Sequence, residues 1–368
     1  MDFVPGLVLC RRFHDEVVGP IMRRHLPGLP YAAGRLDTGS ELLGLDTARS
    51  VDHDWGPRLQ VFVGPDDTHR TAEIIATVDA HLPASFLGYP TRFAGHPDPG
   101  LGGLGVLAAD GDRHGVRVLG LSDWLSAALG FDPRSGVTVA DWLAVPTQRL
   151  AEVTGGAVFH DDLDGALARV RTALDWYPDD VWRYVLAAQW TRIAQEEHFV
   201  GRCAEVGDEL GSLVVTGRIA RDLMRLCLLL RRRYPPYGKW LGSQFARLPG
   251  AAPIAADLGT ALGLGVPAGI TGAAAREAGL ARALTAAALW SNETGLAEAM
   301  DPTVRPFHSR PFLVLDAGRF ADSLRAALTD PGLRARPPVG AVDQFVDSTD
   351  VLAHADRSAA VSGALHRM

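Results

Sequence analysis

The stretch Gly39-Ser40-Glu41-Leu42-Leu43-Gly44-Leu45-Asp46-Thr47-Ala48-Arg49-Ser50-Val51-Asp52-His53-Asp54-Trp55-Gly56-Pro57 constrains this chain more than any other. It leads from a Gly-Ser turn to an Asp-x-Asp pair, and the apolar run Leu59-Gln60-Val61-Phe62-Val63 follows. Such a run predicts a strand, here taken from Asp52 to Val63. Residues two apart on a strand share a face, so Asp52 and Asp54 put two carboxylates side by side. The pair repels itself unless a cation holds it. Oxygen ligands alone suit a hard ion, Mg²⁺ or Mn²⁺; Mg²⁺ usually completes its shell with waters and substrate phosphates. Gly39 lets backbone approach closely, and the Ser40 hydroxyl beside free N–H groups can hold a phosphate oxygen. Ser40 to Leu45 reads as a short helix whose N-terminus faces phosphate. Turn, gap and acids together describe a site for a metal-bound nucleoside triphosphate.

At these residues the chain resembles the nucleotidyltransferase superfamily, which includes polymerase beta and the small antibiotic nucleotidyltransferases. The superfamily pattern is Gly-Ser, a short gap, then Asp-x-Asp; Gly39, Ser40, Asp52 and Asp54 occupy it, with Gly44 and Ser50 at two further usual positions. A narrower resemblance is to the bacterial domain-of-unknown-function family 4037. It is carried by the Gly-Ser-Glu…Asp-His-Asp-Trp-Gly-Pro-Arg-Leu run, by Val206-Gly207-Asp208-Glu209-Leu210-Gly211-Ser212 and by Pro311-Phe312-Leu313-Val314, and extends over nearly the whole chain. The resemblance implies an α+β fold, a polymerase-beta-like mixed sheet with flanking helices followed by a mainly α-helical domain. It also implies a third carboxylate on a strand beside the Asp-x-Asp strand. The strand predicted there, Gly115 to Leu121, carries Arg117 where the acid belongs. Asp110, Asp112, His114 and Asp123 lie close by as substitutes, although Asp123 equally suits the first turn of a helix starting at Ser122. Lys239, after the Pro235-Pro236 break, is by resemblance the lysine that reaches a nucleotide phosphate from the helical side; an exposed lysine beside a buried Trp240 is the plainer alternative.

The implied reaction moves a nucleoside monophosphate from a nucleoside triphosphate such as ATP to a hydroxyl and releases pyrophosphate. Asp52 and Asp54 hold the metal, and Gly39 and Ser40 seat the terminal phosphates. His53 alternates to the opposite face, which argues against an Asp-His-Asp phosphohydrolase site. Arg117 also supports a second reading, a catalytically degenerate nucleotide-binding sensor or scaffold.

The net charge of −7 disfavours binding long nucleic acid through its phosphates, so a small-molecule acceptor is preferred to a protein or an RNA end. Three widely spaced cysteines, Cys10, Cys203 and Cys227, form no CxxC pair and read as reduced thiols of a cytoplasmic protein. No stretch approaches the roughly 20 apolar residues of a membrane span, and the N-terminus lacks the pattern of a signal peptide.

The expected domains are 1–135, α/β; 136–335, helical and substrate-binding; and 336–368, a tail. Gly6 to Leu26 shows a helical period with Leu9, Phe13, Val17 and Ile21 on one face. The Gly- and Pro-rich 95–105 segment is a connector or a flap. Two long helices, Pro178 to Gly211 and Ser212 to Tyr234, carry many polar groups. Arg218 is spaced to pair with Asp222, and Arg221 stacks over Arg225. Arg202, Glu205, Asp208 and Glu209, set among Gly201, Gly207 and Gly211, are candidates for an acceptor pocket, with solvated helix faces as the alternative. His308 and Arg310 form a polar loop, and Asp343, Asp347 and Asp350 read as solvated or capping acids.

Overall fold

The computed structural model describes residues 3–95, 104–264 and 272–366. The chain divides into two units: residues 1–175 with 348–361, and residues 176–347 with 362–368. The first unit begins with α1 (Gly6–Phe13) and α2 (Gly19–His25), joined by one π-helical stretch over His14–Val18. The wider π turn explains why the buried stripe steps from Phe13 to Val18, leaving Val17 only partly buried. Leu9, Phe13 and Ile21 do face the core as their spacing predicts.

β1 (Tyr31–Arg35) and β2 (Arg58–Val63) follow, both buried along their whole length. α3 (Thr71–His81) then crosses over, and β3 (Ser85–Phe86) and β4 (Tyr89–Pro90) make a small hairpin. β5 (Arg92–Ala94), β6 (Val106–Leu107), β7 (Arg113–Gly120) and, beyond α4 (Leu121–Leu129), α5 (Val139–Ala144) and α6 (Thr147–Thr154), β8 (Ala157–Asp161) complete a sheet ordered β6-β5-β7-β2-β1-β8. α7 (Ala166–Ala173) closes the unit's first segment. β1 runs antiparallel to β2, and β2 parallel to β7, as a helical crossover requires. Leu59, Val61 and Val118 share a core with Phe13, Met22 and Ile74, while Phe62 on the opposite face packs on Trp124 with ring centroids 4.8 Å apart. Because β8 pairs with β1, residues 136–175 belong with the sheet, and the division falls at Asp175/Trp176 instead of 135/136.

The expected Asp52–Val63 strand is shorter than the sequence suggested. Gly56 takes φ +148° and Pro57 has no N–H, so pairing starts only at Arg58, and Asp52 and Asp54 lie in the preceding loop. Period-two alternation therefore does not apply to the two acids. Most of the 95–105 segment, residues 96–103, lies outside the described residues.

The second unit is helical: α8 (Asp179–Glu205), α9 (Glu209–Leu230), α10 (Gly238–Ala246), α11 (Ala251–Ala261) and α12 (Gly272–Glu293), then the two-stranded pair β9 (Arg305–Pro306) and β10 (Leu313–Val314), and α13 (Gly318–Ala326). Pro178 precedes α8, and Asp179 and Asp180 fill its first turn, as the sequence predicts. Arg183 pairs with Asp180 along α8, but the polar side chains further along α8 and α9 pair across elements. Arg218 bonds Glu196, Asp222 bonds Arg192 at 3.2 Å, Arg221 meets Asp347 at 3.6 Å and Arg225 meets Asp343 at 2.7 Å. The expected Arg218–Asp222 pair gives way because Asp222 is buried and its tertiary partner outcompetes a helical neighbour. Asp343 is likewise buried, which corrects its reading as a solvated tail acid.

Candidate functional site

The loop between β1 and β2 is built around one buried carboxylate. Glu41 Oε1 accepts from Arg35 Nε at 2.9 Å, Arg58 Nε at 3.1 Å and Arg58 Nη2 at 2.8 Å. Arg35 also donates to the carbonyls of Leu36 and Thr38. Burial alone would raise the Glu41 pKa, but the two guanidinium groups more than offset it and hold the carboxyl at about 2. Oε2 is buried too and has no hydrogen-bond partner among the described residues. Gly39 explains how the loop closes over this cluster: its φ is +143°, and a Cβ there would sit 2.4 Å from Glu41 Oε2 and 2.7 Å from both Arg35 Nη2 and Arg58 Nη2. Ser40 opens a single 3₁₀ turn, Ser40–Leu43, too short for the helix-terminal anion site that the sequence suggested.

The rest of the motif ties this loop to α1. Asp46 Oδ2 accepts from Gly6 N at 2.6 Å and from Trp55 Nε1 at 3.1 Å. Trp55 is fully buried, and the Gly56 carbonyl receives the Cys10 thiol at 3.5 Å. These contacts give Trp55, Gly56 and Arg58 structural tasks that sequence pattern could not assign. Asp52 ends a 3₁₀ turn, exposed, and its Oδ1 accepts from His53 N and lies 3.0 Å from His53 Nδ1. Asp54 takes φ +47°, and its Oδ1 accepts from the backbone N–H groups of Leu104 and Gly105. Each acid therefore keeps Oδ2 without a partner among the described residues. Free carboxylate oxygens are ligands of the kind a hard cation takes. Among the described residues, no three His, Cys, Asp or Glu side chains converge on a metal position.

β7 adds the third element. Because it runs parallel to β2, its first residues lie at the same sheet edge as the loop, with Arg58 opposite Gly115 and Gln60 opposite Arg117. Arg117 meets Asp37 at 2.7 Å, and Asp37, at φ +75°, also lies 3.9 Å from Arg149. Arg35, Asp37, Arg58, Gln60 and Arg117 line a crevice of about 10 Å³, room for about one water. None of the substitute acids joins them. His114 alternates to the α3 face and bonds the Ile75 backbone, Asp110 and Asp112 are exposed, and Asp123 lies beyond the opposite end of β7 in the first turn of α4. Sequence pattern missed Asp37 and Arg35, and carried Glu41 and Arg58 only as parts of the Gly-Ser-Glu…Trp-Gly-Pro-Arg-Leu run.

In the helical unit the other candidates separate. Glu205 bonds Arg310 and lines a cavity of about 160 Å³. Asp208 caps α9 by accepting from Gly211 N at 2.8 Å, Glu209 pairs with Arg276, and Arg202 is exposed. His308 sits at φ +54° against the Phe307 ring. Lys239 is exposed at the start of α10 with its Nζ 4.9 Å from the Trp240 ring centroid, so one aromatic contact accounts for its position. Gly201 accepts the close approach that glycine permits, since a Cβ there would lie 2.3 Å from the Phe312 ring.

Residues 142–241 match the family model described as a domain of unknown function, DUF4037. The match runs from α5 into α10, and includes Val206–Ser212 but neither the Gly39–Asp54 loop nor Pro311–Val314. No curated protein and no solved structure matches the chain. Among the described residues, no helix is long and apolar enough to cross a membrane.

Proposed function

We propose that the first unit binds a nucleoside triphosphate with Mg²⁺ or Mn²⁺, and that the chain transfers the nucleoside monophosphate to a hydroxyl acceptor with release of pyrophosphate. The observation that carries this reading is topological. Antiparallel β1–β2 and parallel β2–β7 bring the Gly39–Ser40 turn, the Asp52–Asp54 loop and the start of β7 to one sheet edge. A bound divalent cation would neutralise phosphate charge as the acceptor oxygen attacks. The protein's own part is to offer one free oxygen each from Asp52 and Asp54, a glycine turn closed over the buried Glu41 cluster, and Arg117 at the rim. The crevice admits only about one water, so the nucleotide lies over it and not inside it.

One observation favours the second reading, nucleotide binding without chemistry. Arg117, ion-paired with Asp37, stands where the resemblance implies a third carboxylate, so no acid there can take the acceptor's proton.

The deciding experiment is thermal unfolding with each nucleoside triphosphate plus Mg²⁺ or Mn²⁺, for the wild type and for Asp52→Asn with Asp54→Asn. At about a hundred times its Kd a ligand stabilises the native state by about 2.7 kcal/mol. A metal-dependent shift that the double variant loses supports nucleotide binding on these acids. Asparagine at 54 still accepts from Leu104 and Gly105, so the loss reports charge and not a broken loop. Pyrophosphate release then separates transferase from sensor, with Arg117→Glu tested for a change in rate. No shift with any triphosphate overturns both readings.

A further inference from the structure

The 160 Å³ cavity lies wholly within the helical unit, between α8, α12 and β10. Its apolar wall includes Val200, Leu280, Leu284 and Phe312; Gly201 lets the Phe312 ring approach α8 closely, and Ala281 contributes only a methyl group. The volume is that of a cavity known to hold one benzene ring. Its polar lining is one-sided in charge: Glu197, Glu205 and Glu277 line it, and no lysine or arginine does.

The three carboxylates are engaged differently. Glu197, 8 % exposed, accepts from Leu315 N and Ala317 N at 2.8 Å each, so both of its oxygens are used. Burial nevertheless pushes its carboxyl up to about 7, as befits a buried acid without a cation beside it. Glu205 is bound by Arg310. Glu277 makes one long bond, from Leu313 N to its Oε1 at 3.3 Å, and its Oε2 has no partner among the described residues. Leu313, 41 % exposed, marks the mouth. An apolar chamber of one-ring size with an uncommitted carboxylate oxygen among acids is complementary to a compact organic cation.

We propose that this cavity binds a small primary amine carrying one apolar ring or an equivalent branched chain, with the apolar part against Leu280, Leu284 and Phe312 and the ammonium on Glu277. Glu205 is already neutralised by Arg310 and both oxygens of Glu197 are taken by backbone N–H groups, so the Glu277 carboxylate alone carries the charge recognition and disfavours anions of the same shape. The inference does not rest on the nucleotide reading, because every residue it uses belongs to the second unit.

The test uses the full chain and three probes of one shape and different charge: benzylamine, toluene and benzoate, followed by calorimetry and thermal shift. Benzylamine is expected to bind saturably, at least ten-fold tighter than toluene, and benzoate not at all. Glu277→Gln should weaken benzylamine ten-fold or more while leaving toluene unchanged. Ala281→Leu, which fills the cavity from α12, should abolish binding of both; Ala204→Leu does the same from α8 if the first variant fails to fold. Toluene binding as tightly as benzylamine, binding of benzoate, an unaffected Glu277→Gln, or no binding of any probe each overturns the proposal.

Discussion

Glu41 has two buried arginines leaning on a single oxygen, so it is the residue whose loss the first unit should feel most. Glu41→Gln leaves Arg35 and Arg58 buried without a counter-charge and is expected to cost about 3–5 kcal/mol, read by urea unfolding. The sign of its pH dependence follows from a pKa held at about 2, below the ordinary value near 4.5. The stabilisation is complete above about 4.5 and is lost as pH falls from there towards 2. Glu197 behaves in the opposite way. Its pKa of about 7 means that the folded state holds the proton more tightly. Below about 4.5 the group costs nothing, and its penalty grows as pH rises to 7, to the order of 3 kcal/mol. Comparing wild type with Glu197→Gln at pH 5 and pH 8 should therefore show the variant relatively more stable at the higher pH. A difference that does not change with pH would contradict the shifted carboxyl.

At the scale of elements, two local geometries invite direct tests. The π-helical stretch His14–Val18 is one residue wider than an α-turn would be, and the buried stripe on either side of it is continuous. Deleting Val17 should let α1 and α2 join as one α-helix with Phe13 and the former Val18 four apart. We expect it to cost less than a large-to-small core substitution, about 2–5 kcal/mol, by thermal unfolding. Gly201→Ala, in contrast, drives a methyl into the Phe312 ring and should destabilise the helical unit while shrinking the cavity beside it. Much of this level was legible in the sequence. The alternation of Leu59 to Val63, the α3 crossover, the strand around Arg117 and the two long helices all follow from apolar period and capping residues. The loop from Gly39 to Pro57 was legible as a motif but not as a geometry. Its shape depends on positive φ at Gly39, Asp54 and Gly56 and on contacts with Gly6, Cys10 and Leu104, which no local pattern encodes. The pairing of α8 with α9 was hidden for the same reason, because same-helix spacing nominates partners that tertiary contacts replace.

On the scale of the whole molecule, residues 348–361 return to the unit that residues 1–175 begin. Arg149 Nη2 donates to the Ala353 carbonyl at 2.9 Å, and Ala355 packs on Gly130. A chain ended at Asp347 should therefore lose amide protection in α6 and around Gly130 in hydrogen exchange, while α3 and β2, which meet other partners, keep theirs. Equal loss throughout the first unit would show that the returning segment is needed for its whole fold. The same path has a consequence for synthesis. Of the two units the α/β one is begun first, yet its last piece, residues 348–361, is translated only after residues 176–347 of the helical unit and is complete roughly 190 residues after Asp175. At about 5–20 residues per second that is an interval of roughly 10–40 s. Throughout it the nascent sheet must hold together without its final segment, so a chaperone that shelters this chain would be needed longest by the part made earliest.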